Sequence, residues 1–405
     1  MSTAQKPPQG ALSHLKVLDL SRVLAGPWAS QMLGDMGAEV IKIEHPERGD
    51  DTRGWGPPYL RDDAGRDVQS AYFLCANRNK RSVALDMATP QGQQQIRALA
   101  MQSDILIENF KVGGLAKYGL DYASLSELNP RLIYCSITGF GQTGPYAQRP
   151  GYDFMVQGLG GLMSLTGVPD GQEGAGPMKV GVALTDILTG LHAVAGILAA
   201  VAWRERSGEG QHIDLALLDV QVACLANQAL NYLVTGCSPV RLGNAHPSIV
   251  PYQSFPTADG EMILAVGNDS QFIAFSRVAG QAQWASDPRF ATNAARVENR
   301  AVLVPLLRQC TVQRSTAQWV LALEAANVPC GPINTLEQVF ADPQVQARGL
   351  HVALPHPVTG TAPAVASPLR FSRTPVQYRS AAPALGADTE QVLGALRDAL
   401  LQPQA

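Results

Sequence analysis

Two short apolar segments, residues 16–21 and 39–44, lie within thirty residues of each other, and helix punctuation stands between them. Lys16-Val-Leu-Asp-Leu-Ser21 alternates as a strand entering a core does. Gly26-Pro27 opens a helix with proline at its first position, and Gly34 or Gly37 closes it. Glu39-Val-Ile-Lys-Ile-Glu44 is the next strand. A strand, helix and strand this close together make a right-handed β-α-β unit, the start of a doubly wound sheet. Ligands to such sheets gather at the carboxyl ends of the strands, which here carry Ser21-Arg-Val-Leu-Ala25 and Glu44-His-Pro46.

The alternation continues through strands at 82–86, 104–108 and 131–137, so this part of the chain is α/β with a mainly parallel sheet. The irregular stretch 47–68 is long for a connection in a compact domain and points to function. A chain of 405 residues exceeds one compact core. Residues 1–224 are expected to form a large domain with a linker helix over about 205–224. Residues 225–330 form a small α+β domain, with a hairpin turning at Asp259-Gly260 and helices near 270–279, 300–308 and 316–326. Residues 331–405 return to the large domain and end in a helix near 389–401.

Net charge is −3, which provides no global field for nucleic acid or a membrane surface. The six cysteines are scattered without a C-x-x-C pair, which argues against structural zinc and a disulfide framework and suits a reducing cytoplasm. The seven histidines show no ligand spacing, and no metal site is expected. Residues 1–16 lack an apolar signal core. The run 187–203 is apolar almost all round but short for a span and contains His192, which fits a buried core helix.

Upstream of that run stands Leu184-Thr-Asp186. Thr185 is a plausible N-cap, and Asp186 falls in the first turn, where the helix dipole favours the anion. Such a carboxylate beside a glycine-rich loop is either a nucleophile or a residue that only stabilises its own helix. Gly139-Phe-Gly-Gln-Thr-Gly144 matches G-x-G-x-x-G after a strand. Pro145, Pro150 and Gly151 follow where a dinucleotide-binding helix should run, so an active-site loop fits better.

Leu18-Asp-Leu-Ser-Arg-Val-Leu-Ala-Gly-Pro27, Gly49-Asp-Asp-Thr-Arg-Gly-Trp55, Asn79-Lys-Arg-Ser82, Glu108-Asn-Phe110, Gly139-Phe-Gly-Gln-Thr-Gly-Pro145, Leu184-Thr-Asp186 and Pro329-Cys-Gly-Pro332 follow one another along the chain. In these segments the chain resembles the class III CoA-transferases, the formyl-CoA and carnitine type (CaiB/BaiF-like). The resemblance implies a Rossmann-like large domain built from both termini, a smaller α+β domain, and a homodimer of interlocked rings. It makes Asp186 the nucleophile, which forms an acyl-aspartyl anhydride and then an aspartyl-CoA thioester. No permanently bound cofactor is required, since coenzyme A and its acyl thioesters are substrates. By position, CoA contacts fall on Val23, Leu24, Ala25, Leu85, Asn109, Phe110 and Lys117. Arg53, Arg78, Lys80 and Arg81 are further cationic candidates. The glycines of 139–144, with Gly160 and Gly161, would supply oxyanion-binding N–H groups and exclude water. Asp153 is a supporting carboxylate or a helix cap.

Two alternatives remain at this stage. α-Methylacyl-CoA racemases share the resemblance, but they carry His where Tyr152 stands, and a phenol is a poor neutral-range base. A non-catalytic CoA-binding protein would not need Asp186. Free dicarboxylates such as succinate, glutarate or itaconate are the expected acids, with succinyl-CoA as donor. An arginine among Arg53, Arg78 and Arg149 would hold the second carboxylate. His246 is a further candidate near the acyl group.

Overall fold

The computed structural model describes residues 10–401; most of the N-terminal segment judged to lack a signal core (residues 1–9) lies outside them. The chain divides into two compact units. The first comprises Met1–Leu162, Val180–Gly236 and Gln344–Ala405, and the second comprises Met163–Lys179 and Cys237–Pro343. These boundaries differ from those expected. Residues 163–179 join the second unit, whereas Ala226–Thr235, a helix, stays with the first.

The first unit is built on a six-stranded parallel sheet. In chain order its elements begin with β1 (Lys16–Asp19), α1 (Ala25–Asp35), β2 (Glu39–Glu44), β3 (Lys80–Ala84), α2 (Pro90–Met101) and β4 (Ile105–Glu108). They continue with α3 (Tyr122–Leu128), β5 (Ile133–Thr138), α4 (Asp153–Leu159), α5 (Leu184–Ser207), β6 (His212–Ala216) and α6 (Leu217–Ala223). The strand order is β6-β5-β4-β1-β2-β3, with every pairing parallel. The order reverses between β1 and β4, and in a doubly wound sheet the ligand crevice opens at that reversal. Both faces are covered, so β1, β4 and β5 are apolar on both sides rather than alternating.

The expected linker helix over 205–224 is not one helix. α5 ends at Gly208 in a left-handed cap, and His212–Ala216 then pairs with β5 as the sheet's outer strand. The segment Gln-His-Ile-Asp-Leu-Ala-Leu-Leu-Asp suits either state locally, and pairing with Tyr134–Thr138 decides it.

α5 is 24 residues long and crosses α1 closely. It is long and apolar enough to span a membrane, yet half of its most apolar window is buried, with Ala193, Ile197 and Ala200 packed in one core with Ala25, Ala29 and Leu33 of α1. Gly190 sets the separation, because a Cβ there would lie 2.9 Å from the Ala25 carbonyl oxygen and 3.1 Å from the Trp28 ring. The second unit has its own core, in which Phe255, Phe272, Phe275 and Trp319 pack around a three-stranded antiparallel sheet of Tyr252–Pro256, Glu261–Ala265 and Cys330–Pro332.

Gly190→Ala should therefore destabilise the first unit by about 1–3 kcal/mol, the usual cost of overpacking. Urea denaturation measures this, and an unchanged midpoint would contradict the close α1–α5 crossing.

Candidate active site

Residues at the strands' carboxyl ends enclose a cavity of about 690 Å³, all of them in the first unit. Val23, Leu24 and Ala25 from the loop after β1 line it, as do Leu85, Asn109, Phe110, Lys117, Tyr152 and Asp186. The structure thus brings together most of the positions singled out in the sequence.

The loop after β1 is held on several sides. The Asn109 amide accepts from Arg22 N at 2.9 Å and donates to Arg22 O at 2.7 Å. Val23 has φ of 71°, a conformation that β-branched residues rarely adopt. Its N–H donates to Asp50 Oδ1 at 3.3 Å, and Asp50 pairs with the fully buried Lys42 at 3.0 Å. Lys42 also donates to the Ser21 carbonyl at 2.7 Å. Lys80 lies alongside, fully buried and 3.1 Å from Asp19. Burial opposes charge on Asp19, but Lys80 and Lys42 outweigh it and hold that carboxyl at about 2.

Asp186 lies in the first turn of α5, but the cap differs from the one expected. The N-cap position is Ala183, whose side chain makes no cap hydrogen bond. The capping oxygen comes from α4 instead. Asp153 Oδ1 accepts from Thr185 N at 2.8 Å and Asp186 N at 3.3 Å. Its Oδ2 accepts from Gln157 Nε2 at 2.7 Å, and Gln157 Oε1 accepts from Val180 N at 2.9 Å. The Thr185 hydroxyl turns inward and donates to Gln221 of α6. Asp153 is thus a cap, but of another helix than its own.

Asp186 lines the cavity and is 8% exposed. Burial, followed by repulsion from Asp153, pushes its pKa up to about 7. The helix dipole, expected to favour the anion, is outweighed here. The dipole is worth ~0.3–1 kcal/mol, less than one pH unit's worth of 1.36 kcal/mol, and desolvation exceeds it. A carboxylate destabilised in this way is a stronger nucleophile than an exposed one.

Several candidates are placed elsewhere. Arg53 binds Glu44 in a fork, at 2.7 Å through each nitrogen, and its guanidinium rests 3.7 Å from the centre of the Phe73 ring. Arg78 forms a buried fork with Asp35, and Arg81 pairs with Glu39. Neither these three nor Lys80 is among the cavity-lining residues, and each is paired with a carboxylate, buried for all but Arg81. Gly160 ends α4, and its missing Cβ admits Gln221, whose Cγ would lie 2.5 Å away. Gly161, at φ of 86°, follows it, and neither glycine lines the cavity. Gly139 does line it, and it packs so closely on Gly151 that a Cβ on either would fall within 2.6 Å of the other's Cα. Between the end of β5 and Asp153 no helix forms, as the prolines after Gly144 imply. His246 belongs to the second unit, where its ring packs edge-on against Tyr252.

Asp50, Gln157, Tyr72 and Glu108 also stand at or beside the site, although no role was expected of them. Burial and the nearby Asp186 charge push the Tyr72 phenol up to about 12, so it remains a hydrogen-bond donor. Burial raises Glu108 to about 7, and its Oε2 accepts from Phe110 N at 2.7 Å beside the cavity.

Residues 12–389 match the family described as CoA-transferase family III. This chain is a family III CoA-transferase. It is 54% identical to a succinate–glutarate CoA-transferase of Agrobacterium fabrum, over 97% of this chain and 96% of that protein. It is 42% identical to the human succinyl-CoA:glutarate CoA-transferase, over 94% of this chain and 85% of that one. A crystal structure of a CaiB/BaiF family protein from Brucella suis superposes with a TM-score of 0.84 at 51% identity, covering 96% of this chain and 100% of that one. The two named enzymes are transferases, and with them the racemase and non-catalytic alternatives fall away for this CoA-transferase.

Asp153→Asn keeps a capping oxygen of similar strength and removes the repulsion on Asp186. The acid limb of kcat/KM for the acyl-CoA should then move below pH 7, and an unmoved limb would assign it to another group such as Glu108. Folded Asp186 retains its proton up to about pH 7, while an unfolded Asp releases it near pH 4. Its ionisation therefore costs stability progressively as pH rises through that window. Asp186→Asn should raise Tm more at pH 8 than at pH 4.

Proposed function

We propose that this CoA-transferase moves CoA from succinyl-CoA to a second free dicarboxylic acid such as glutarate, with Asp186 as the covalent carrier. The observation that carries this reading is the position of the Asp186 carboxylate. It is buried on the wall of a cavity at the sheet's reversal point, and among the described residues no donor holds its oxygens. The printed activities of the Agrobacterium and human relatives support the choice of acids.

In the reaction, an Asp186 oxygen attacks the thioester carbonyl and the C–S bond breaks, leaving an acyl-aspartyl anhydride and CoA thiolate. The thiolate attacks the aspartyl carbonyl and expels succinate, giving aspartyl-CoA thioester. The acceptor carboxylate attacks that thioester and releases thiolate again. The thiolate then takes the acceptor's acyl group and regenerates the Asp186 carboxylate. Every step exchanges one activated acyl bond for another, and no net proton is transferred. Water would hydrolyse the anhydride, so the nucleophile's depth in the cavity is part of the chemistry. The backbone N–H groups of Leu24 and Ala25, at the start of α1 and lining the cavity, are suited to meet developing oxyanion charge. Lys117, with Phe110 and Asn109, is suited to the nucleotide portion of CoA. The enzyme is expected to act in the cytoplasm as an interlocked homodimer.

Incubation with succinyl-CoA followed by hydroxylamine should leave a hydroxamate mass change on the peptide containing Asp186. Full transfer activity in Asp186→Asn, or an unmodified peptide, would eliminate the covalent route. Activity that falls about tenfold per pH unit below pH 7 is the expected profile for an Asp186 nucleophile with its pKa at about 7.

A further inference from the structure

We infer that Arg149 holds the remote carboxylate of the dicarboxylic acid, and so sets the preference of this CoA-transferase for diacids over monoacids. The inference rests on the dicarboxylate reading above. A diacid placed with one carboxylate against Asp186 has a second anionic end in the same cavity, and Asp186 repels it. That end needs a cation that is not already neutralised.

The arginines compatible with the sequence were Arg53, Arg78 and Arg149, and the structure separates them. Arg53 and Arg78 spend their forks on Glu44 and Asp35 and stand outside the cavity. Arg149 lines the cavity and, among the described residues, pairs with no carboxylate. Its guanidinium carbon lies 4.5 Å from the centre of the Tyr146 ring and 5.4 Å from that of Phe140. Those rings pack on each other edge to face at 5.6 Å. Cation–π contact of this kind holds the guanidinium while leaving its N–H edge for a planar anion.

Position along the chain favours the acyl end of the cavity. Arg149 is four residues before Asp153, at most about 14 Å of extended chain. Asp153 in turn bonds the backbone N–H of Asp186 itself. The other unneutralised cations of the cavity, Arg48, Lys111 and Lys117, come from the loops after β2 and β4. Arg22 is already paired with Asp51 at 3.0 Å. Arg149 is therefore the cavity arginine on the segment leading into the nucleophile's own cap.

The test uses the full-length enzyme with succinyl-CoA as donor, and glutarate or pentanoate as acceptor. The two acids differ in one terminal carboxylate, and in a double-displacement reaction the acceptor's kcat/KM reports the second half-reaction alone. Arg149→Met should lower kcat/KM for glutarate about tenfold to a hundredfold, the worth of a hydrogen-bonded charge. Pentanoate should change less than about threefold, since it lacks the group that Arg149 recognises. Arg149→Lys, which keeps the charge and loses the fork, should fall between wild type and Arg149→Met for glutarate. Preserved glutarate preference in both variants overturns the role of Arg149 while leaving the dicarboxylate reading intact. Equal losses for the two acids, with a raised KM for every CoA thioester, would place Arg149 on a CoA phosphate and also overturn it. A wild-type enzyme that takes pentanoate as readily as glutarate would overturn the dicarboxylate reading, and this proposal with it.

Discussion

The hydrogen bonds from the first backbone N–H groups of α5 to Asp153 are the contact on which the site depends. A helix start leaves unpaired donors, and a capping residue usually comes from the adjoining chain. Here it comes from α4, so the α5 residues beside the cavity have no capping duty. The Asp186 carboxylate is left without a donor of its own, in a place where burial already disfavours its charge. Asp153 adds repulsion to that cost. The arrangement is unfavourable for stability and favourable for a nucleophile, because a carboxylate that its surroundings fail to stabilise gains most from forming a bond to carbon.

Charge is also buried beneath the loop after β1, for a different purpose. Asp19 ends β1, Lys42 lies within β2, Asp50 follows β2 and Lys80 opens β3, and all four are buried. Buried ion pairs are weak contributors to net stability, since desolvation offsets most of their attraction. Their evident product here is geometry: Asp50 and Lys42 bind Val23 N and Ser21 O, fixing a turn that valine alone would not adopt. That turn starts α1 and presents Leu24 and Ala25 to the cavity opposite the start of α5. Gly190 lets the two helices meet there with almost no separation to spare.

Much of this was legible in the sequence, for a physical reason. β2 runs from Glu39 to Glu44 as expected, because an apolar run bounded by glycine and proline leaves a parallel strand few alternatives. Asp186 and the lining positions of the loops after β1 and β4 could be named only through the family resemblance, since the local pattern around Asp186 fits a residue that stabilises its own helix equally well. The cations misled where their partners are remote. Arg78 lies 43 residues from Asp35, and Lys80 lies 61 from Asp19, so the chain displays the charge but not its neutralisation. The same limit hid the cap. Thr185 looks like an N-cap from its neighbours, but Asp153, 32 residues earlier, occupies that role. The small unit's use of 163–179 was equally hidden, since no local signal says which core a glycine-rich hairpin will join.

The cations of the cavity bear on catalysis as well as on binding. CoA brings several phosphate charges into the space that Asp186 faces, and added negative charge would push the carboxyl's pKa higher still. Exposed charges more than about 10 Å apart are largely screened by salt, and a buried carboxyl such as Asp186 is screened less. Arg48, Lys111 and Lys117 line the same cavity and are the cations available to offset such charge, which would spare the nucleophile from protonation when CoA binds. A cation on the acyl side extends the same balance to a diacid, whose second carboxylate would otherwise act on Asp186 from a few ångströms away. On this view the loops after β2, β4 and β5 do more than recognise the ends of a ligand. With the roles proposed for their cations, they would also limit the change in field at Asp186 as anions enter and leave, which matters most for a carboxyl with its pKa at about 7.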